Sequence, residues 1–525
     1  MKKLLLGGVA ALVLASCGSD KTEEITAALA QMQLEDQDAE IKGKKDEVIL
    51  KNVIINPARW DEDSYTESEA DAFDDVEEDE DDEMDADEPV LVAEEMIFNG
   101  LRLQDDGSSV FKKVTLNSVK LDNLPEDENV DAKVGNITLD EPTPELAAWV
   151  TGLLGQGEMT EVPEMDDFQF KAFGISEISF GGGDEYSSGE FKLGSFVVED
   201  FYDYKAGVAK IEGMTFDFTD GWSEESFTFS LEEMGFTGLD LKLIKAFEEE
   251  DDYGIASSLM DIVMEDPMDP GLDSFNLKAL NFDGGGLTMD LPSMSYTVER
   301  NSDGVPTRMV MPEFTLTVTA DEEGSIGSEL APVMAMLGFD EIVLSVASEF
   351  TYDPETDIGN YKQTYIAVDD AFEFNLTGKL GGIQDMSDAM KDMDAEAYMM
   401  GEDDPMEMMM ALYGPLEIHD LKIAITDDGI IDKGFALAAA EQGVDPKELR
   451  MQIAGMVSAV PVLGADSGVD MALMTEVSSA ASDFIKQGGT LTISLDPEDP
   501  ILVSDLMADP LSISKSSLGL TAETK

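Results

Sequence analysis

One cysteine and one histidine are all that 525 residues offer to the commoner forms of nucleophilic and metal chemistry. A Ser-His-Asp or Cys-His arrangement needs a base beside its nucleophile. The only imidazole, His419, stands in the strand-like run Leu416-Glu417-Ile418-His419-Asp420-Leu421-Lys422-Ile423. It reads as a surface residue, and His-based zinc sites go with it. Gly181-Gly182-Gly183 and Gly284-Gly285-Gly286 read as hairpin turns, because no phosphate-binding helix pattern follows either. With 114 Asp and Glu in the chain, no pair of carboxylates stands out as an acid–base couple. The chain is read as a non-enzyme, with no catalytic residue, no metal ligand set and no cofactor.

Three stretches carry enough oxygen or sulfur to suggest cations. Between Asp61 and Glu88, 18 of 28 residues are acidic and none is basic, so the run cannot bury a core and is expected to be a disordered insertion. It lacks the fixed spacing and turn glycine of a calcium loop. Asp353-Pro354-Glu355-Thr356-Asp357-Ile358-Gly359 offers acids at alternate positions, but its glycine comes one place late. Thr364 stands where a bidentate carboxylate is needed, so a hairpin turn is expected. From Ile383 to Leu412 the chain carries nine methionines, among them Met386, Met390 and Met408. Thioethers suit Cu(I), yet methionine is also an adaptable apolar filler, and the chain holds 31 of them. Cation or metal buffering by these segments is the third of three functional readings.

The single thiol has a better-defined use. Lys2 and Lys3 precede an apolar run from Leu4 to Leu14 that is too short to span a bilayer. The following Leu14-Ala15-Ser16-Cys17 resembles the lipobox of bacterial envelope lipoproteins at all four positions. That resemblance implies cleavage before Cys17, acylation of Cys17, and a chain tethered to a membrane by several acyl chains. Gly18 in place of Asp implies the outer membrane, with the protein facing the periplasm. No later apolar run approaches the length of a span. A formal net charge of −82 repels nucleic acid, which removes that class of partner.

The elements behind these residues are mostly strands. Residues 17–46 form the anchor and a tether helix, with Ile25, Ala28, Leu29 and Met32 on one face. Residues 47–382 repeat one habit, an amphipathic strand, a Gly or Asp-Gly turn, and another strand, as in Phe173-Gly174-Ile175-Ser176-Glu177-Ile178-Ser179-Phe180. Helices are expected near Thr143 to Leu154, Leu241 to Met264 and Glu329 to Leu337. Residues 383–414 form the Met-rich helical segment. Residues 415–525 form an α+β part with a strand pair around Asp427-Asp428-Gly429 and helices near 433–441, 446–460 and 471–486. The fold class is α+β, mainly β: a long antiparallel meander or curved sheet with interspersed helices.

Between Val90 and Gly382, the short Gly-punctuated strands and the Tyr352-to-Gly359 turn leading into Phe/Leu alternations resemble the AsmA-like, groove-forming periplasmic proteins. The resemblance implies a folded sheet whose concave face carries lipid. A lipid anchor where many members have a transmembrane helix, and the acidic insertion, depart from that pattern. Counting faces leads the same way, since upwards of twelve amphipathic strands face about six helices. A sheet face not covered by protein must close on itself or hold something apolar. The expected lining includes Phe180, Phe216, Phe229, Phe282, Met289 and Phe374, with Ile383 to Leu412 as a flap. The first functional reading is lipid or apolar-ligand binding; the second is a structural or interaction lipoprotein of the envelope.

Overall fold

The computed structural model describes residues 21–34, 37–42, 46–56, 90–122, 130–157, 160–183, 187–223, 225–241, 267–322, 324–391, 405–464, 468–509, 511 and 513–525. Cys17, the acidic run 61–88 and the expected helix at 241–264 lie outside the described residues, apart from Leu241. Two compact units, residues 1–222 and 223–525, divide the chain within the stretch read as one meander.

The first unit opens with α1 (Lys21–Gln31), followed by β1 (Asp38–Lys42), β2 (Glu47–Ile55), β3 (Val90–Asn99) and the short β4 (Arg102–Leu103) and β5 (Ser109–Val110). Next come β6 (Lys113–Asp122), β7 (Val130–Asp140), α2 (Pro144–Leu154), β8 (Phe170–Gly183), β9 (Ser187–Tyr202) and β10 (Lys205–Asp220). The long strands pair antiparallel in chain order, while β4 and β5 make a hairpin of their own. Pro144 occupies the first turn of α2, where its missing N–H costs nothing, and Thr143 Oγ1 accepts from the Leu146 amide at 3.4 Å.

One side of this sheet is sealed over β2 to β6 and at Leu139 of β7. Ile25, Ala28 and Leu29 of α1, Leu146 and Ala147 of α2, and Val110 and Phe111 at the hairpin share one cluster with Leu50, Val53, Met96, Phe98 and Leu116. Buried hydroxyls inside it are satisfied. Ser109 Oγ donates to Gln31 Oε1 at 2.8 Å, and Thr151 Oγ1 donates to the Ser109 carbonyl at 2.8 Å.

The second unit runs β11 (Glu225–Asp240), β12 (Ser274–Gly284), β13 (Leu287–Arg300), β14 (Pro306–Ala320), α3 (Gly327–Leu337), β15 (Ile342–Asp353), β16 (Ile358–Val368) and β17 (Phe372–Gly381). The Met-rich segment gives α4 (Ile383–Lys391) and α5 (Pro405–Tyr413), and the part between them lies outside the described residues. Then follow β18 (Glu417–Asp427), α6 (Ile430–Gln442), α7 (Pro446–Ser458), α8 (Val460–Leu463), α9 (Met471–Gln487) and β19 (Gly489–Leu495). The chain ends with β20 (Ile501–Leu502), α10 (Val503–Ala508), α11 (Lys515–Leu518) and β21 (Thr521–Thr524). Strands β11 to β19 pair antiparallel in chain order, β21 adds to β19 and β20 adds to β18. Among the described residues of each unit, no pairing joins the first strand to the last, so each meander is open. The fold is mainly β, a long antiparallel meander with interspersed helices.

Two expectations need correction. Asp427-Asp428-Gly429 is not a turn between paired strands. Asp427 Oδ1 accepts from the amides of Gly429 (3.1 Å) and Ile431 (3.0 Å), and Gly429 at φ 123° leads straight into α6. A short acidic side chain that satisfies free amides favours a helix start over a hairpin. His419 is half-buried rather than on the surface. Its Nε2 is enclosed without a hydrogen-bond partner, 3.5 Å from a Glu417 carboxylate oxygen.

Candidate ligand-binding face

The apolar alternation is broken at one shared level in every long strand of the first unit from β2 to β10, and a second time in β8 to β10 beside Asp200 (φ 52°). In β2 the apolar positions are Val48 and Leu50, then Val53 and Ile55, a step of three in place of two. The same step separates Ala93 from Met96, Leu116 from Val119, Val134 from Ile137, Ile175 from Ile178, Leu193 from Phe196 and Ile211 from Met214. In a regular strand such a step would turn the second half to the opposite side of the sheet. Left-handed residues compensate in every second strand: Asn52 (φ 51°), Ser118 (50°), Glu177 (54°) and Gly213 (64°). In register with them stand Glu94, Gly135 and Gly194. Val48, Leu50, Val53 and Ile55 are all 2% exposed or less, whereas Lys51 and Asn52 face solvent. One face therefore stays apolar across the break, and a crease of bulge-like bends crosses seven strands.

Sterics explain the glycines along this crease. A Cβ on Gly135 would lie 2.7 Å from Cβ of Glu177, and one on Gly194 would lie 2.9 Å from the Glu212 carbonyl oxygen. At these two positions the neighbouring strand comes too close for a side chain, whereas at the start of the crease Glu94 stands opposite Asn52 and Ser118.

Past α2 the apolar rows continue into β8, β9 and β10. Ala132, Phe180, Phe191 and Phe216 form one row; Val134, Ile178, Leu193 and Met214 form the next; Ile137, Ile175, Phe196 and Ile211 lie across the crease. Phe180 is 51% and Phe216 43% exposed, while Phe191, Ile178, Leu193 and Met214 are half-buried. The structure thus joins Phe180 and Phe216 through Phe191, a residue that sequence reasoning missed.

The second unit has the same grammar. Phe229, Phe282, Met289 and Val318 stand side by side on β11 to β14. Phe374 belongs to the row Phe314, Val346, Ile366, Phe374, Ile425, and Phe314 lies four residues from Val318, on the same face of β14. All four expected lining residues of this unit therefore share one side, and all are half-buried. A shorter crease crosses β11 to β13 at Glu232, Ala279 (φ 47°) and Pro292. Proline suits it because the ladder bonds are interrupted there.

Other polar groups are held in place by hydrogen bonds and ion pairs. Tyr352 donates to Asp357 Oδ1 at 3.0 Å, and the same oxygen accepts from the Gln384 amide at 2.8 Å, tying the β15–β16 turn to α4. Burial, then the bond to Asp357, pushes the Tyr352 hydroxyl up to about 12. Glu349 accepts from Lys362 (3.0 Å) and Arg308 (3.1 Å), which hold its carboxyl below the usual range. Arg300 grips Asp269 and Asp273 and is raised further by those hydrogen bonds. A hollow of about 660 Å³ lies beside Phe170, Phe201 and Tyr202, and one of about 440 Å³ beside Leu506 and Leu518. Neither is lined by the six candidate residues. Among the described residues no group of three or more His, Cys, Asp or Glu could hold a metal ion, and no helix is long and apolar enough to cross a membrane.

A family model described as "Uncharacterized protein" matches residues 365–525, less than a third of the chain. No curated protein and no solved structure matches the sequence.

Proposed function

We propose that this chain is a non-enzymatic envelope lipoprotein, anchored by acyl chains on Cys17, whose open apolar sheet face holds lipid or another apolar ligand. The observation that carries this reading is the row Phe180, Phe191, Phe216, in which both outer rings stand about half exposed on a face that is sealed elsewhere in the same unit. Contiguous apolar surface of that kind is uncommon on a soluble protein and marks a place where something binds. In this reading the mature protein is held at the outer membrane by its N-terminal lipid, faces the periplasm and binds no nucleic acid. The second reading, a structural or interaction lipoprotein, draws on the sealed half of the face beneath α1 and α2.

The test is titration with a fluorescent fatty acid, alongside native mass spectrometry for co-purified lipid. Because each aromatic side chain contributes about 1.5–3 kcal/mol when buried, Phe180→Asp with Phe216→Asp should weaken binding at least tenfold and leave the circular dichroism native. If the parent protein binds no probe and carries no lipid, the structural reading takes the place of this one.

A further inference from the structure

The apolar face of β8 to β10 is open at one end and shut at the other. Along β9, the row of Phe191 holds the exposed rings of Phe180 and Phe216, and the rows of Leu193 and Phe196 are half-buried. Access ends at the row of Val198, where Val198 and its neighbour Ala209 are both 8% exposed. Beyond it Phe201 is 6% and its partner Ala206 1% exposed. The stopper is aromatic. Phe168, just ahead of β8, meets Trp149 of α2 and Phe201 at 6.2 Å each, and Phe170 stacks on Phe201 at 5.0 Å. Phe173, beside Val198, stands edge-on to Phe170 (6.2 Å) and to Phe196 (6.4 Å), so its ring divides the sealed rows from the open ones.

We propose that this strip measures a single unbranched acyl chain, which lies along the strands with its methyl end against Phe173 and its polar head at the row of Phe180 and Phe216. The proposal rests on the reading of the sheet face as an apolar-ligand site and adds the orientation and length of the ligand. From Phe191 to Phe196 the strand advances about 17 Å, at about 3.3 Å per residue. An extended hydrocarbon advances about 1.25 Å per carbon, the projection of a single bond of about 1.52 Å at the tetrahedral angle, so about fourteen carbons fill the strip. The chemistry of the strip favours hydrocarbon over peptide. Its three open rows are uncharged, and the ladder bonds of β8 and β9 are made within the sheet to neighbours on both sides. A peptide laid on this face would find no partners for its own N–H and C=O groups, whereas an acyl chain needs none. A net charge of −82 opposes the approach of a second copy.

The test uses the full chain carrying Cys17→Ser, so that no acyl group of its own competes. Saturated fatty acids of 8 to 20 carbons, below their micellar concentrations, displace a fluorescent one. Affinity should climb about fourfold per methylene, the equivalent of about 0.8 kcal/mol, and level off at about fourteen carbons. Phe173→Ala opens part of the next row, about 6.6 Å deep, and should carry the plateau to longer chains by up to about five carbons. Ile211→Trp fills the last open row and should bring the plateau to shorter chains, which keeps the test decisive if Phe173→Ala does not fold. A gain that continues to twenty carbons in the parent, or a plateau that neither variant moves, overturns the proposal and leaves the sheet-face reading intact. Binding at no length overturns both. A sterol bound more tightly than any fatty acid would assign the strip to a fused-ring ligand and overturn the acyl chain.

Discussion

Tyr352 is a phenol whose ionisation should be visible in the stability of the protein. The residue is 6% exposed and its hydroxyl donates to Asp357, so the neutral form is favoured in the folded state. Its folded value of about 12 lies above the ordinary value of 10.0. Below pH 10 both states hold the proton and the contribution is complete; between about pH 10 and 12 the unfolded state loses it first, and stability falls. In Tyr352→Phe this part of the alkaline decline should be missing. Chemical denaturation of both proteins at intervals from pH 9 to 12 measures it, and parallel curves would remove Tyr352 as the cause. Cys17 belongs to the same scale. Cys17→Ser should leave the chain in the soluble fraction of the expressing cell and abolish incorporation of labelled palmitate, whereas unchanged labelling would end the lipoprotein reading.

The crease is a property of elements, because no single strand explains it. Glu177 is left-handed opposite Gly135, where a Cβ would lie 2.7 Å from its own, and the two should therefore be energetically coupled. Gly135→Ala places a methyl against Cβ of Glu177, which cannot swing aside, and should cost about 1–3 kcal/mol. In a Glu177→Gly background most of that cost should disappear, a difference that urea melts of the four proteins can resolve. Additive effects would mean that Gly135 and Glu177 do not constrain one another. The sequence was legible to the level of strands and faces. Alternation predicted β8 from Phe173 to Phe180 and placed Phe229, Phe282, Met289 and Phe374 on one side. It missed the phase step inside each of those phrases, although the three-residue spacing of Ile175 and Ile178, repeated at Leu193 and Phe196, was there to be read. Phe191 was missed for the related reason that its partners, Phe180 and Phe216, become neighbours only once register is known. Asp427 misled because Asp-Asp-Gly suits a hairpin and a helix start equally; the choice was made by where β18 finds its partners.

At the scale of the whole molecule, charge sets the terms. The chain carries 114 acidic residues against 32 basic ones, so most carboxylates have no cation to pair with. Pairs that do form, such as Lys192 with Glu190 and Lys210 with Glu212, both at 2.7 Å, are well exposed, and such pairs contribute only about 0–1 kcal/mol each. Added salt weakens these few attractions and the far more numerous repulsions together. The Debye length shrinks from about 30 Å at 0.01 M to about 10 Å at 0.1 M, so repulsion between distant carboxylates fades first. The thermal midpoint should therefore rise with sodium chloride from 10 to 300 mM and then level off; a fall would show that the ion pairs outweigh the repulsion. Calcium chloride at matched ionic strength distinguishes a screened surface from a built site. On a screened surface calcium should track sodium to within a few degrees. A stabilising step at micromolar calcium would instead require a specific set of ligands, and would return the cation-binding reading to first place.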